Sequence, residues 1–161
     1  FVDSDLKEQI NVRKFSPSGE TLAATYLEGT EFECGFDLTV DPDNNGNIVV
    51  VGETSSFNFP LSNPAQRFLG GKRDGFIAQL GPSLGSEGLA YSTYIGGSEN
   101  DRAYAVAVSS NGAPYVTGNT SFPDLPLANP GQATYQGNGD AFLAGYFPNG
   151  DLWFTTYHGE Q

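Results

Sequence analysis

What most constrains this 161-residue chain is that it repeats itself at a nearly fixed interval. VVVGETSSFNFP at 49–60 returns as YVTGNTSFPDLP at 115–126, so that Gly52 and Gly118 stand 66 residues apart. RDGFIAQLGP at 73–82 returns as GDAFLAGYFP at 139–148, and Asp74 and Asp140 keep the same interval of 66. An earlier partial copy, INVRKFSPSGETLAATYLEG at 10–29, sets Pro17 65 residues before Pro82. A last phrase recurs around Tyr26, Tyr94 and Tyr157: AATYLEGTEF, YSTYIGGSEN and FTTYHGEQ. Repetition on this scale describes one supersecondary unit copied and stacked, each copy burying a face that it cannot bury alone.

One unit reads as four strands. The first is FDLTV (36–40) or YAVAV (104–108), and the second is IVVVG (48–52) or PYVTG (114–118). They are joined by the turns DPDNNGN and SSNGA, where Asn-Gly between apolar runs signals a hairpin. After a long Pro-rich loop come GFIAQL (75–80) or AFLAGY (141–146), then LAYSTYI (89–95) or LWFTTYH (152–158). The 21 Gly and 10 Pro suit short strands and many turns, and no stretch sustains helical apolar spacing. Ile48-Val49-Val50-Val51 is apolar at every position, which predicts a strand covered on both faces of its sheet. Four-stranded units whose faces are covered by their neighbours are the blades of a β-propeller. A two-sheet sandwich is the alternative, but it has no need of this repeat.

The run Tyr91-Ser92-Thr93-Tyr94-Ile95-Gly96-Gly97-Ser98, followed by an acidic residue, a strand, NG, YVTG, FP and GDAF, resembles a bacterial β-propeller repeat family described as seven-bladed. The resemblance spans nearly all of residues 10–161. Glu28 departs from it where the first Gly of a GG pair belongs, as do Ala105, Ser109 and the HGEQ end. The expected fold is all-β, with about two and a half blades of four antiparallel strands. Residues 1–35 would hold an N-terminal segment and a partial blade (strands three and four), 36–101 a full blade, and 102–161 a full blade ending in the loop to a further one. Propellers close with about four to eight blades. Such an arc would leave two apolar faces in water, beyond the few hundred Å² usually tolerated. The expected partners are therefore other blades of a longer chain or neighbouring subunits, and Phe1–Asn11 is one place where the missing edge could lie.

Seven Lys+Arg against 19 Asp+Glu give a formal charge of −12, which argues against nucleic-acid binding. Cys34, the only cysteine, excludes an intrachain disulfide and is expected as a small packed residue in a loop. No run reaches transmembrane length, and no signal peptide is read. The turn Asp41-Pro42-Asp43-Asn44-Asn45-Gly46 alternates oxygen side chains before a glycine, as calcium loops do. That makes Asp41, Asp43 and Asn45 a weak metal candidate. Val49 and Gly52 stand where distal ligands belong, the second unit loses both aspartates, and a plain hairpin turn is expected. His158, the sole histidine, is expected as a strand-end residue, since no Gly-x-Ser-x-Gly elbow accompanies it. Asp74 and Asp140 recur at one repeat position, which suits a turn or backbone cap better than a single active site. Arg73, Arg102 and Tyr135 are the candidate ligand contacts on the loop face, against a local salt-bridged turn at Glu99-Asn100-Asp101-Arg102. Asn119-Thr120-Ser121 fits a glycosylation sequon that is expected to be incidental.

The resemblance implies secretion to the cell surface or beyond. The expectation is a non-catalytic scaffold for interaction or assembly, a filament being one form of it, with no cofactor. Against it stand a lectin-like module stacking Tyr135, Phe57 or Phe122 on sugar rings, and a polysaccharide-active enzyme using paired acids.

Overall fold

The computed structural model describes residues 9–41, 46–85 and 88–159, and within these it contains ten strands and no helix. β1 (Ile10–Phe15) and β2 (Thr21–Leu27) form a two-stranded sheet. β3 (Glu33–Val40), β4 (Ile48–Thr54), β5 (Asp74–Leu80) and β6 (Leu89–Ile95) form a four-stranded antiparallel meander. β7 (Asp101–Val108), β8 (Pro114–Thr120), β9 (Asp140–Tyr146) and β10 (Leu152–His158) repeat it. These are propeller blades: one partial and two full.

Both first strands begin three residues earlier than the apolar runs at 36 and 104 indicate. Glu33 pairs with Thr54, and Asp101 with Thr120. The added segments open on buried carboxylates, which apolar alternation reads as loop. Cys34 accordingly sits in β3, half-buried, and not in a loop. Each first strand also carries a register shift, between Gly35 and Asp37 and between Ala103 and Ala105. At the first of these, Asp37 Oδ1 accepts from the Leu38 N–H and Oδ2 from the Val106 N–H, both at 2.9 Å. One side chain thereby ties the first strands of the two full blades together.

Side-chain alternation sends each blade's residues to two different cores. Val49, Val51 and Ile77 meet Val106, Val116, Phe142 and Tyr157 between the full blades. Val50, Phe76, Ala78 and Tyr94 point the other way and meet Ile10, Val12 and Leu27 of the partial blade. β4 is buried at Val49, Val50 and Val51 for this reason, since it lies between two neighbours.

The loops use the same device twice. Tyr94 Oη donates to the Ser56 carbonyl at 2.7 Å, and Tyr157 Oη accepts from the Leu125 N–H at 3.0 Å. The Thr30 N–H reaches Asn58 Oδ1 and the Ser98 N–H reaches Asp124 Oδ1, each at 3.0 Å. The tyrosine bonds tie each full blade's long loop to its own fourth strand, and the Asn58 and Asp124 bonds latch the chain leaving one blade to the long loop of the next.

Candidate functional site

The loop-side end of the full blades gathers the polar side chains that sequence reasoning singles out. Asp74 opens β5 fully buried. Its Oδ2 accepts from the Gly70 N–H at 2.9 Å and from Gln66 Nε2 at 2.7 Å, and Oδ1 accepts from the Gly71 N–H at 3.2 Å. Asp140, one repeat later, accepts from the Gln136 N–H at 2.9 Å. The repeated acid is a backbone cap, as its recurrence suggests.

Gln66 and Gln132 hold the same corner and were not singled out from the sequence, although PAQ and PGQ recur on the 66-residue interval. The Gln66 N–H donates to Thr93 Oγ1, and its Oε1 accepts from the Gly96 N–H. The Gln132 N–H donates to Thr156 Oγ1, and its Oε1 accepts from the Gly159 N–H. Each glutamine fastens a long loop to the end of its blade's fourth strand. A Cβ on Gly96 would lie 2.6 Å from Asp74 Cγ and 2.9 Å from Asp101 Oδ2, so only glycine lets the chain pass between the two carboxyls.

Burial lifts the Asp74 carboxyl to about 6; Asp101's charge adds to this, while the Gly70, Gly71 and Gln66 hydrogen bonds oppose it. Asp101 is also raised, again chiefly by burial. A carboxyl whose folded pKa exceeds its unfolded one binds its proton more tightly in the folded state. Its stabilisation is complete below the ordinary value of 3.8 and is lost as pH rises through about 6. Lowering pH from 7 to 5 should therefore raise stability in urea by on the order of 1 kcal/mol from this group. Asp74→Asn should remove that part of the gain, and a wild-type protein that loses stability over this interval would contradict the assignment.

Arg73 and Arg102 come together on Glu53. Arg73 Nη1 lies 3.2 Å from Glu53 Oε1, and Arg102 Nε 2.9 Å from Oε2. The Glu53 side chain is buried while both guanidinium groups are half-exposed. Arg73 also lies over the Phe32 ring, 4.5 Å from its centroid. Glu53 first, then Tyr104, raise the pKa of Arg102. Two cations satisfy one buried anion that would otherwise be costly to hide. Lys72 adds an exposed pair with Glu99 at 2.8 Å, so the ion pairs of the 99–102 turn among the described residues run to Lys72 and Glu53, distant in sequence, and not within the turn.

Tyr135 does not share this cluster. Its ring stands edge-on to Tyr157 at 5.8 Å, and its hydroxyl accepts from the Gly139 N–H at 2.8 Å. His158 is exposed at the end of β10. At the opposite turn Asp41 is buried; its N–H donates to the Asn47 carbonyl and its carbonyl accepts from the Gly46 N–H, as in a hairpin. Asp43 and Asn45, the other metal candidates, lie outside the described residues.

Part of the exposed apolar surface lies on the last blade and on the face of β3 turned to the partial blade. On the last blade Trp153 stacks among Tyr115, Phe147 and Phe154, and it remains 43% exposed. On β3 of the first full blade, Leu38 is 53% exposed, whereas Val106, its counterpart one repeat on, is 9% exposed under β4 of the preceding blade.

Residues 90–126 match the family model SBBP, a β-propeller repeat. The matched span runs from β6 through β7 and β8, across the junction between the two full blades. No curated protein matches the chain. The stacked four-stranded meanders and this match agree: the chain is built of β-propeller blades, and its residues 90–126 are similar to the SBBP β-propeller repeat.

Proposed function

We propose that this chain is a non-catalytic β-propeller scaffold, outside the cell or on its surface, that mediates protein interaction or assembly. Apolar positions left uncovered carry the reading: Leu38, Tyr115 and Phe154 are at least partly exposed, whereas their counterparts Val106, Val49 and Tyr91 are buried between the full blades. The state of the acids supports a non-catalytic role. Asp74 and Asp140 cap backbone, and Glu53 is held by two arginines. Among the described residues no helix is long and apolar enough to cross a membrane.

Light scattering tests the proposal. The protein should self-associate in the micromolar range, with an apolar end face seated on another surface. The double substitution Phe147→Glu, Trp153→Glu should weaken association at least about tenfold, because each charge would have to be buried without a partner. A folded protein that stays monomeric at hundreds of micromolar would sink the scaffold reading for the isolated chain. Glycan binding is the second reading, favoured by Phe57 and Phe122, which are exposed on neighbouring long loops. Loss of glycan-array binding in Phe57→Ala would select it.

A further inference from the structure

We infer that the hollow beside Arg67 and Phe68, on the long loop of the first full blade, binds a carboxylated sugar ring of the uronic acid kind. This goes beyond the scaffold reading and does not rest on it. Leu61, Asn63, Pro64, Arg67 and Phe68 line a hollow of about 410 Å³, within the size range of small-ligand sites. Phe68, at 79% exposure, is the most exposed of the large hydrophobic residues described. Among the described residues, neither the Asn63 amide nor the Arg67 guanidinium makes a hydrogen bond or ion pair.

The second full blade supplies an internal comparison. LSNPAQRF at 61–68 returns as LANPGQAT at 127–134. The frame of the loop is the same in both. Asn63 and Asn129 take left-handed φ values of 44° and 43°. The Gln66 and Gln132 N–H groups donate to the Thr93 and Thr156 hydroxyls at 2.8 Å, and their Nε2 groups to the Phe68 and Thr134 carbonyls at 3.0 and 2.8 Å. The loop therefore holds its shape with Ala133 and Thr134 as well as with Arg67 and Phe68, and the larger pair is not needed for folding. Asn129 Nδ2 donates to the Trp153 carbonyl at 2.9 Å, a bond that Asn63 lacks among the described residues. Charge differs too: in a chain of net charge −12, residues 54–73 contain Arg67, Lys72 and Arg73 and no acid, whereas residues 120–139 contain Asp124 and no base.

These side chains suit an acidic sugar. An arginine fork matches a carboxylate in two parallel hydrogen bonds. The negative face of an exposed phenyl ring attracts the polarised C–H bonds on one side of a pyranose. The Asn63 amide both donates and accepts, as neighbouring hydroxyls require. A peptide laid on as a strand is less suited, because the loop's backbone is engaged: Pro64 has no N–H, and the Gln66 N–H and carbonyl both bond Thr93 Oγ1. Ser62 and Ser92 exchange backbone hydrogen bonds at 3.3 and 2.8 Å, which lays the loop on β6, the last strand of its meander. The first strands of the two full blades meet at the opposite edge, where Asp37 accepts from the Val106 N–H. None of the five lining residues belongs to the core between those blades.

An amide-shift titration of the full chain with methyl glucuronide tests the inference, with neutral methyl glucoside as the comparison. At low salt the glucuronide should shift the amides of 61–69 with a Kd in about the millimolar range, and the glucoside should bind at least about fivefold more weakly. Arg67→Ala and Phe68→Thr, which import the residues of the second blade, should each weaken glucuronide binding at least about fivefold without moving the urea midpoint. Arg67→Lys should restore only part of the binding, since a point charge lacks the fork. No shifts at 61–69 with glucuronide at about 50 mM overturn the inference, as does equal affinity for the two sugars or binding that survives Arg67→Ala. A short acetylated peptide whose free C-terminal carboxylate binds the hollow more tightly than the sugar overturns it as well. Light scattering on the same samples keeps the two readings apart. A monomer that binds glucuronide supports this site and rejects self-assembly, and a self-associating chain that ignores the sugar does the reverse.

Discussion

Gly118→Ala is expected to destabilise the protein by about 3 kcal/mol or more in urea unfolding, enough to remove most of the stability of a marginal domain. A Cβ at this position would lie 2.0 Å from the Arg102 carbonyl oxygen and 2.5 Å from Cε1 and Cζ of Phe142. The oxygen belongs to the neighbouring strand β7, which is held to β8 by its ladder, and the ring belongs to the buried core between blades. Neither can move away without breaking other contacts. The constraint is built into the unit, because a Cβ at Gly52 would meet the Cys34 carbonyl oxygen at 2.0 Å and Phe76 Cε1 at 2.7 Å. Adding Phe142→Ala should not restore stability, since the carbonyl clash remains and the ring it removes is itself part of the core. Gly85→Ala is the control: its nearest neighbour among the described residues would be 3.8 Å away, and a change within about 0.5 kcal/mol is expected. Gly118→Ala with wild-type stability would mean that the two strands do not approach as described.

That glycine shows why the repeat was the legible part of the sequence. Gly52 and Gly118 mark the interval because the contact they permit recurs, and the interval in turn locates the strands. The apolar run at 48–51 likewise announces a strand with neighbours on both sides, and its residues divide between two cores. What could not be read depends on partners distant in sequence. Glu33 and Asp101 look like loop residues until Thr54 Oγ1 is seen to donate to Glu33 and the Gly97 N–H to Asp101. Arg73 and Arg102 look like free ligand contacts until Glu53, 20 and 49 residues away, is found between them. Tyr135 suits a stacking platform by composition, but the fold turns it onto Tyr157. Gln66 and Gln132 differ from these cases. Their recurrence was in plain view, and only the habit of reading charged and aromatic residues first hides it.

Phe142→Ala should cost about 3–5 kcal/mol, the range for a large aromatic removed from a close-packed core. Phe142 is buried to 1% exposure in the cluster that joins the full blades through Val49, Val51 and Tyr157. Its ring fills space owned by both sheets, so the loss should lower the unfolding of the two blades together and not of the last alone. Exchange data can separate these outcomes: β4 and β5 amides should become less protected along with those of β8 and β9. Tyr26→Ala supplies the opposite case. Tyr26 has the repeat position of Tyr157, but it is 53% exposed on the uncovered side of the partial blade. Its removal should change stability by less than about 0.5 kcal/mol in the dilute monomer. Tyr157→Ala, at the same repeat position but 2% exposed under a neighbour, should cost several-fold more, and that contrast is what lateral stacking of blades requires. Equal losses for Tyr26→Ala and Tyr157→Ala would mean that each sheet is stabilised from within, and the uncovered faces would lose their energetic reason to await a partner.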